Sequence, residues 1–264
     1  MSKSEWDRRI TRADELASKF PFAAEIMNFY GRIASFQKAV YEQAAGQNLA
    51  GDHRPLRDQL DIELALRHLP ALFSLIERHG PPGLAGVARG LRAENRQQWF
   101  DLLAARARGD EQRGGAVQFF ARVCLQPLAE HIAGNSDRMQ VASYTGPLCP
   151  LCYSRPQAAV LRPEGDGAKR LLLCSFCLTE WNFRRVVCPA CAEENKDKLP
   201  RYSAADFPYV RVEACDTCKT YLKSVDLSVH GLAVPVVDEI AAAPLDLWAV
   251  DHGYSKIEPN LVNC

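Results

Sequence analysis

The sequence lacks a long hydrophobic run and an excess of charge of either sign. No segment approaches the roughly 18 consecutive apolar residues of a membrane-spanning helix. The first residues contain no apolar core typical of a signal peptide, and no hydrophobic segment follows Arg8 and Arg9. We therefore expect a cytoplasmic protein in a reducing compartment, where thiols stay available for metal binding.

The balance of charges argues against a nucleic-acid partner. The chain has 32 Lys+Arg and 32 Asp+Glu, so its formal net charge is zero. Beyond residue 143 the count is 13 Lys+Arg against 15 Asp+Glu, which gives this part a charge of −2 before any bound metal. Because domains that bind nucleic acids are usually basic, we expect no nucleic-acid partner.

The sequence also lacks the motifs of common enzyme classes. It contains no P-loop, no Gly-rich nucleotide-binding motif and no set of serine, histidine and acidic residues that suggests a catalytic triad. We therefore predict no catalytic residue and no enzymatic activity. The histidines are scattered, and His230 and His252 are secondary candidates for metal ligands.

Cysteine is the residue in which this chain is rich. Eight of its ten cysteines form four Cys-x-x-Cys pairs within 70 residues. The pairs are Cys149/Cys152, Cys174/Cys177, Cys188/Cys191 and Cys215/Cys218. A tight turn aims the two sulfurs of a pair at one point, and two pairs complete a tetrahedral metal site. The spacing predicts two four-cysteine metal sites, whereas redox dithiols or disulfides are the alternative that a reducing compartment disfavours.

The intervals between successive pairs indicate how the pairs combine. They are 21, 10 and 23 residues long, and a short β-hairpin fits the first and the third. We predict sequential pairing, in which the first two pairs form site A and the last two form site B; the alternative is a cross-brace. Residues 158–161 and 170–173 flank a Pro- and Gly-rich turn and predict the hairpin of site A, and residues 209–212 predict a strand of site B.

The residue after the second cysteine of such a turn usually adopts the left-handed conformation, for which glycine is the easiest choice. The residues at these four positions are Tyr153, Leu178, Ala192 and Lys219. Since none of them is glycine, we expect either mildly strained turns or a different turn geometry.

The first 143 residues have the pattern of helices. Apolar residues recur at spacings of three and four over residues 22–40, just after Pro21, which suits a first helical turn. A second helix is predicted over residues 56–69, and Pro70 is expected to stop or kink it. The run Gly-Pro-Pro-Gly at residues 80–83 then breaks the pattern.

Further helices are predicted over residues 84–103 and 117–132. Cys124 lies on the apolar face of the second of these as a small buried side chain, and Cys264 is unpaired. Residues 109–115 predict a polar loop and residues 134–147 a linker. Past the last cysteine pair, residues 225–237 are β-like and residues 238–250 predict a helix.

These patterns predict an α+β protein. An N-terminal all-α bundle is followed by two tandem rubredoxin-like or zinc-ribbon metal modules and a short C-terminal helix. The expected domains are residues 1–143 (helical), 144–186 (first four-cysteine ribbon) and 187–264 (second four-cysteine ribbon with a helical tail).

The cysteine-rich half resembles a known family. The motifs are Cys174-Ser-Phe-Cys177-Leu-Thr-Glu-Trp181, Arg184-Arg-Val-Val-Cys188-Pro-Ala-Cys191 and Cys215-Asp-Thr-Cys218-Lys-Thr-Tyr-Leu-Lys223. Together with Pro244-Leu-Asp246 and the tail from Gly253 to Asn260, they resemble the formate dehydrogenase accessory protein family, FdhE. Residues 21–37 resemble the first long helix of that family, so the resemblance covers nearly the whole chain.

The resemblance implies an assembly factor rather than an enzyme. Members of the family act in the cytoplasm in the maturation of respiratory formate dehydrogenases, bind the catalytic subunit and carry rubredoxin-like iron. The implied ligands of two iron ions are Cys149, Cys152, Cys174, Cys177, Cys188, Cys191, Cys215 and Cys218. Zinc is the alternative metal, because four thiolates suit either.

Two other functions stay open from the residues alone. Zinc ribbons often bind nucleic acids, and rubredoxin-like sites often carry electrons. Closed sites of four cysteines are usually structural, so a purely structural role of the metals is compatible with the accessory function as well.

Overall fold

The computed structural model describes residues 3–46, 54–110, 115–136 and 138–262. Within these ranges the helices come first and the sheet follows, which confirms the α+β class. The helices are α1 (Lys3–Lys19), α2 (Ala24–Ala45), α3 (Ile62–His79), α4 (Pro82–Ala93), α5 (Arg96–Arg108), α6 (Gly115–Gly134), α7 (Arg138–Ser143), α8 (Pro235–Ala241) and α9 (Ala243–Asp251). The strands are β1 (Pro156–Glu164), β2 (Gly167–Cys174), β3 (Glu180–Asn182), β4 (Arg201–Ser203), β5 (Val210–Cys215), β6 (Thr220–Asp226) and β7 (Ser255–Lys256). Cys264 and residues 111–114 of the predicted polar loop lie outside the described residues.

The helix predicted over residues 22–40 is α2, but it begins at Ala24, after a 3₁₀ turn over Pro21–Ala23. Phe22 therefore precedes the helix. It is 59% exposed and contacts Phe207 instead of joining the buried face. The rest of the predicted stripe faces the core, where Tyr30 and Ile33 are buried.

The helix start predicted near residue 56 is wrong. Residues Leu56–Gln59 form a 3₁₀ turn, and α3 begins at Ile62 because the carboxylate of Asp61 accepts a hydrogen bond from the backbone N–H of Leu64 at 2.8 Å. Pro70 does not stop this helix, which continues to His79. Pro70 is exposed, while the residues around it pack in the core, and this packing keeps the helix continuous.

The β-like segment predicted at residues 225–237 is mostly not a strand. β6 ends at Asp226, whose carboxylate accepts a hydrogen bond from the backbone N–H of Ser228 at 3.0 Å and so begins a turn. α8 then starts at Pro235, and the carboxylate of Asp238 accepts a hydrogen bond from Val234 N–H at 2.7 Å. The single predicted C-terminal helix is two helices, α8 and α9.

The strands of both cysteine-rich modules belong to one sheet. Its order is β3-β2-β1-β6-β5-β4, and β7 pairs with β6. The hairpin β1–β2 is antiparallel, as predicted for site A, and the strand predicted at residues 209–212 is part of β5, which is antiparallel to both β4 and β6. The parallel pairing of β1 with β6 joins the two modules. The two modules therefore share a continuous sheet, and the division into residues 1–143, 144–186 and 187–264 stays a prediction.

The helices and the sheet also share one hydrophobic core. A part-buried ion pair links the first helix to the C-terminal half of the chain. Arg12 on α1 binds the carboxylate of Asp238 on α8 at 2.7 Å, and Tyr209 donates a hydrogen bond to the same carboxylate at 2.8 Å. These contacts fix the first helix against the C-terminal helices.

A second buried network attaches the C-terminal segment to the sheet. Lys223 on β6 lies 3.1 Å from the carboxylate of Glu239 and also binds Asp246. Lys256 on β7 binds the same two carboxylates, and Asn260 donates a hydrogen bond to Glu239 at 2.7 Å. Two positive and two negative charges therefore neutralise each other within the core.

A Glu239→Gln variant is expected to lose about 3 kcal/mol of stability at neutral pH. Although burial opposes ionisation, Lys223 and Lys256 lower the pKa of Glu239 from its ordinary 4.5 to about 2, and one pKa unit corresponds to about 1.4 kcal/mol. Because the pKa of Glu239 is lower in the folded state, its contribution is complete above about pH 4.5 and is lost as the pH falls toward 2. Urea unfolding at several pH values should show the two proteins converging in that window, and a constant difference would contradict the assignment.

Candidate metal centres

The structure brings the eight paired cysteines into two clusters. Site A contains Cys149, Cys152, Cys174 and Cys177, and site B contains Cys188, Cys191, Cys215 and Cys218. The four sulfur atoms of each cluster lie within 4.8 Å of one another. This is the sequential pairing, and the cross-brace is wrong. Metal binding by these cysteines stays a prediction.

The distances between the sulfur atoms fit tetrahedral coordination. In site A the Sγ atoms of Cys149 and Cys177 are 3.5 Å apart, and those of Cys152 and Cys174 are 3.3 Å apart. In site B the Sγ atoms of Cys188 and Cys218 are 3.7 Å apart, and so are those of Cys191 and Cys215. Metal–sulfur bonds of about 2.3 Å in a tetrahedron require sulfurs about 3.8 Å apart. Four thiolates in this arrangement suit zinc or iron.

All four turns have the standard left-handed residue, although none uses glycine. The φ angles are 60° at Tyr153, 55° at Leu178, 62° at Ala192 and 55° at Lys219. Within the described ranges, these are the non-glycine residues with positive φ. Each costs about 1–2 kcal/mol of backbone strain. Of the two expectations for these turns, the strained one is correct, and a bound metal is the interaction that would stabilise them.

An Ala192→Gly variant is expected to strengthen site B slightly. Ala192 is exposed, so the substitution removes strain without removing packing. The relief of about 1–2 kcal/mol exceeds the entropy cost of glycine, which is about 0.5–1 kcal/mol. Metal release to a chelator should therefore slow a few-fold. The matched control is Ala190→Gly in the same turn, where φ is not positive and release should become faster.

The helical half holds both turns of site A by their backbones. Arg57 donates a hydrogen bond to the carbonyl oxygen of Cys152 at 2.7 Å. Arg122 and Gln126, both on α6, donate hydrogen bonds to the carbonyl oxygen of Ser175 at 2.9 and 3.2 Å. All four cysteines of site A are at most 1% exposed. Site A is therefore enclosed between the helices and the sheet.

Buried and half-buried arginines of the helical half lie beside site A. Phe176 lies between the last two cysteines of the site, and the guanidinium carbons of Arg57 and Arg106 are 4.9 and 5.3 Å from its ring centre. Burial, together with repulsion from Arg122 and Arg57, lowers the pKa of Arg106 to about 10. A divalent metal with four thiolates carries a charge of −2, which these arginines would balance. The charges around site A thus fit a bound metal.

Metal binding at site A would depend on the protonation of its thiols. Burial raises the pKa of Cys174 and Cys177 well above the ordinary value of a thiol. A metal ion must displace these protons in order to bind, so binding releases protons. The hydroxyl oxygen of Thr179 lies 3.1 Å from the sulfur of Cys177, where it can donate a hydrogen bond to the thiolate.

Site B lies at the surface of the molecule. Cys188 and Cys215 are buried, whereas Cys218 is half-buried and Cys191 is exposed. Thr220 repeats the role of Thr179, with its hydroxyl oxygen 3.0 Å from the sulfur of Cys218. Although burial opposes ionisation, the hydrogen bonds from Thr220 lower the pKa of Cys218 to about 7. Site B therefore has the same ligands as site A in a more open setting.

A groove of about 1020 Å³ runs between the helices and the sheet, next to site A. Its lining includes the buried Trp181, the half-buried Leu178 and the exposed Arg8 on α1, which we place at its rim. The pair formed by Arg162 and Glu180 adds charge along the other side, with an N–O distance of 2.6 Å. An apolar floor with a charged rim is typical of a surface that binds a protein segment.

The two candidate histidines do not join either cluster. His230 packs against Tyr209, with ring centres 4.7 Å apart, and His252 stacks on Trp248 at 4.1 Å.

The sequence analysis did not identify the arginines beside site A. Arg122 left a signal, since it is a charged residue within the apolar run of α6, which predicts a buried charge with a partner.

Comparisons with known proteins identify the cysteine-rich half. One family model, "FdhE, central domain", matches residues 148–185, and another, "FdhE, C-terminal domain", matches residues 186–262. A protein FdhE homolog of Aquifex aeolicus is 26% identical over 267 residues, which are 96% of this chain and 93% of that protein. A homolog of Pseudomonas putida is 35% identical and covers 76% of this chain and 63% of that protein.

The fold is also that of a solved structure. The crystal structure of the FdhE protein from Pseudomonas aeruginosa superposes with a TM-score of 0.75 at 24% identity, and the match covers 100% of this chain and 97% of that chain. Among the helices of the described ranges, none combines the length and the apolarity needed to span a bilayer.

Proposed function

Because this chain belongs to the FdhE family, we propose that it is a cytoplasmic accessory factor for the maturation of formate dehydrogenase, and that it is not an enzyme. It binds the catalytic subunit of that enzyme and carries two four-cysteine metal centres, which hold iron. The observation that carries this proposal is the pair of clusters, because all eight cysteines lie within the residues that the two family models match.

The metal part of the proposal is tested by elemental analysis and a visible spectrum of protein purified without oxygen. Four thiolates around ferric iron give a coloured centre that bleaches on reduction, whereas zinc is colourless. We expect two irons per chain. Two zincs per chain would overturn the assignment of iron and leave the accessory function in place, and intact protein without any metal would overturn metal binding.

The partner is tested by capture of the purified catalytic subunit on the immobilised full chain. We propose the groove beside site A as the contact surface, since it combines apolar and charged residues in one open depression. Reversing the rim charge with Arg8→Glu should weaken capture about tenfold or more, as like-charge contacts cost over about 1.4 kcal/mol. The matched control is Arg89→Glu on α4, which does not line the groove and should leave capture unchanged. Equal capture by all three proteins would remove the groove from the interface, and no capture by the unaltered chain would overturn the partner.

A further inference from the structure

The two cysteine clusters differ in their access to solvent. The four cysteines of site A are at most 1% exposed. In site B, Cys191 is exposed and Cys218 is half-buried. A chelator or a thiol can therefore reach a ligand of site B directly. In site A, Cys177 lies beside the groove but is 1% exposed, so reaching its sulfur requires the packing around it to open first.

The clusters also differ in how their turns are held. Both turns of site A are bound by arginines of the helical half, the half-buried Arg57 through Cys152 and the buried Arg122 through Ser175. The turn that carries Cys188 and Cys191 is instead held by surface contacts. The ion pair of Arg184 with Glu194 has side chains that are 63% and 54% exposed, and such pairs contribute little stability.

We propose that site B is the exchangeable metal centre of this protein, that Cys191 is the ligand displaced first, and that site A keeps its metal as long as the chain is folded. The inference rests on the proposed function, since it assumes that both clusters bind metal. Local opening of a surface turn costs less free energy than the separation of packed layers, so the exchange at site B is the faster of the two.

The exchange is a ligand substitution without electron transfer. An incoming soft ligand, such as a thiolate, forms a bond to the metal while the bond between the metal and the sulfur of Cys191 breaks. The released thiolate takes up a proton from solvent. Cys188, Cys215 and Cys218 hold the metal until further incoming ligands replace them. A site with this property can deliver a metal or accept one, whereas site A is a structural centre.

The test is metal release from the full chain loaded with two zinc ions, followed with the chromogenic chelator pyridylazoresorcinol. We expect two phases of one zinc per chain each, with rates that differ on the order of tenfold or more. Iodoacetamide added after the fast phase should label the cysteines of site B and spare those of site A. Trypsin cleaves after Arg184 and Arg185, between Cys177 and Cys188, so the peptides of the two sites separate in a mass spectrum.

A Cys191→Ser variant supplies the second measurement. It should bind one zinc, lack the fast phase and keep its helical circular dichroism. Release in one phase, labelling of site A first, or loss of the slow zinc in Cys191→Ser would each overturn the inference. Failure of the unaltered chain to bind two zinc ions would instead overturn the proposed metal function, so the two failures are distinguishable.

Discussion

A Cys174→Ser variant is expected to bind one metal per chain and to lose cooperative folding. Cys174 ends β2 and is fully buried in site A. Serine is a poor ligand for zinc or iron, so the substitution leaves three thiols and a hydroxyl buried without a metal. Structural sites of four cysteines contribute about 10–16 kcal/mol, which is as large as the whole stability of a typical domain, about 5–15 kcal/mol.

The loss of structure in Cys174→Ser should extend into the helical half of the protein. The carbonyl oxygen of Ser175, next to Cys174, accepts hydrogen bonds from Arg122 and Gln126 on α6. When the turn is released, these buried donors lose their partner and the charge of Arg122 loses the anionic centre beside it. We therefore expect the hairpin β1–β2 and the packing of α6 against it to be lost together, while site B keeps its metal.

This result is checked by measuring the metal content and by monitoring thermal unfolding with circular dichroism. The matched control is Cys124→Ser, the same substitution at a buried cysteine of α6 that lies outside both clusters. It should keep both metals and a single sharp transition, with a loss of about 1–3 kcal/mol for the buried hydroxyl. A Cys174→Ser protein that unfolds like this control, with two metals bound, would show that site A has no structural role.

The spacing of the cysteines was enough to predict most of the candidate site. Four Cys-x-x-Cys pairs at intervals of 21, 10 and 23 residues predicted which cysteines cluster, and the apolar runs on either side of the Pro- and Gly-rich turn predicted the hairpin β1–β2 that joins the pairs of site A. This works because each pairing is local, and a short hairpin leaves the chain little choice. Most helices of the first 143 residues were likewise predicted from apolar residues that recur at spacings of three and four.

The parts that sequence reasoning missed depend on distant contacts. The parallel pairing of β1 with β6 joins segments about 65 residues apart, and no local pattern marks it. The valines near residue 236 favour a strand by propensity, yet Asp238 and the packing of α8 on the sheet make them helical. Arg57 and Arg106 look like ordinary surface arginines in the sequence, and only the fold shows that they converge on Phe176.

An Arg122→Met variant is expected to lose about 3–5 kcal/mol of stability and to weaken metal binding at site A. One guanidinium group donates hydrogen bonds to the carbonyl oxygens of Ser175 at 2.9 Å, Pro259 at 3.0 Å and Asn260 at 2.9 Å. It therefore ties α6 to a turn of site A and to the C-terminal segment. Removing one member of a buried charged network leaves its partners unsatisfied, which is why the cost is large.

The effect on metal binding should distinguish the contribution of the positive charge of Arg122 from that of the shape of its guanidinium group. Arg122 donates a hydrogen bond to the carbonyl oxygen of Ser175, next to Cys174, so its positive charge would favour the anionic centre that four thiolates form around a metal. Arg122→Lys keeps this charge but cannot reach three carbonyl oxygens. It should therefore restore much of the metal affinity in a chelator competition while urea unfolding still shows a loss of stability. The matched control is Arg162→Gln, which removes an arginine that is 49% exposed and paired with Glu180, and should cost less than about 1 kcal/mol. If Arg122→Met behaves like this control, neither the network nor the charge at site A has the role assigned to it.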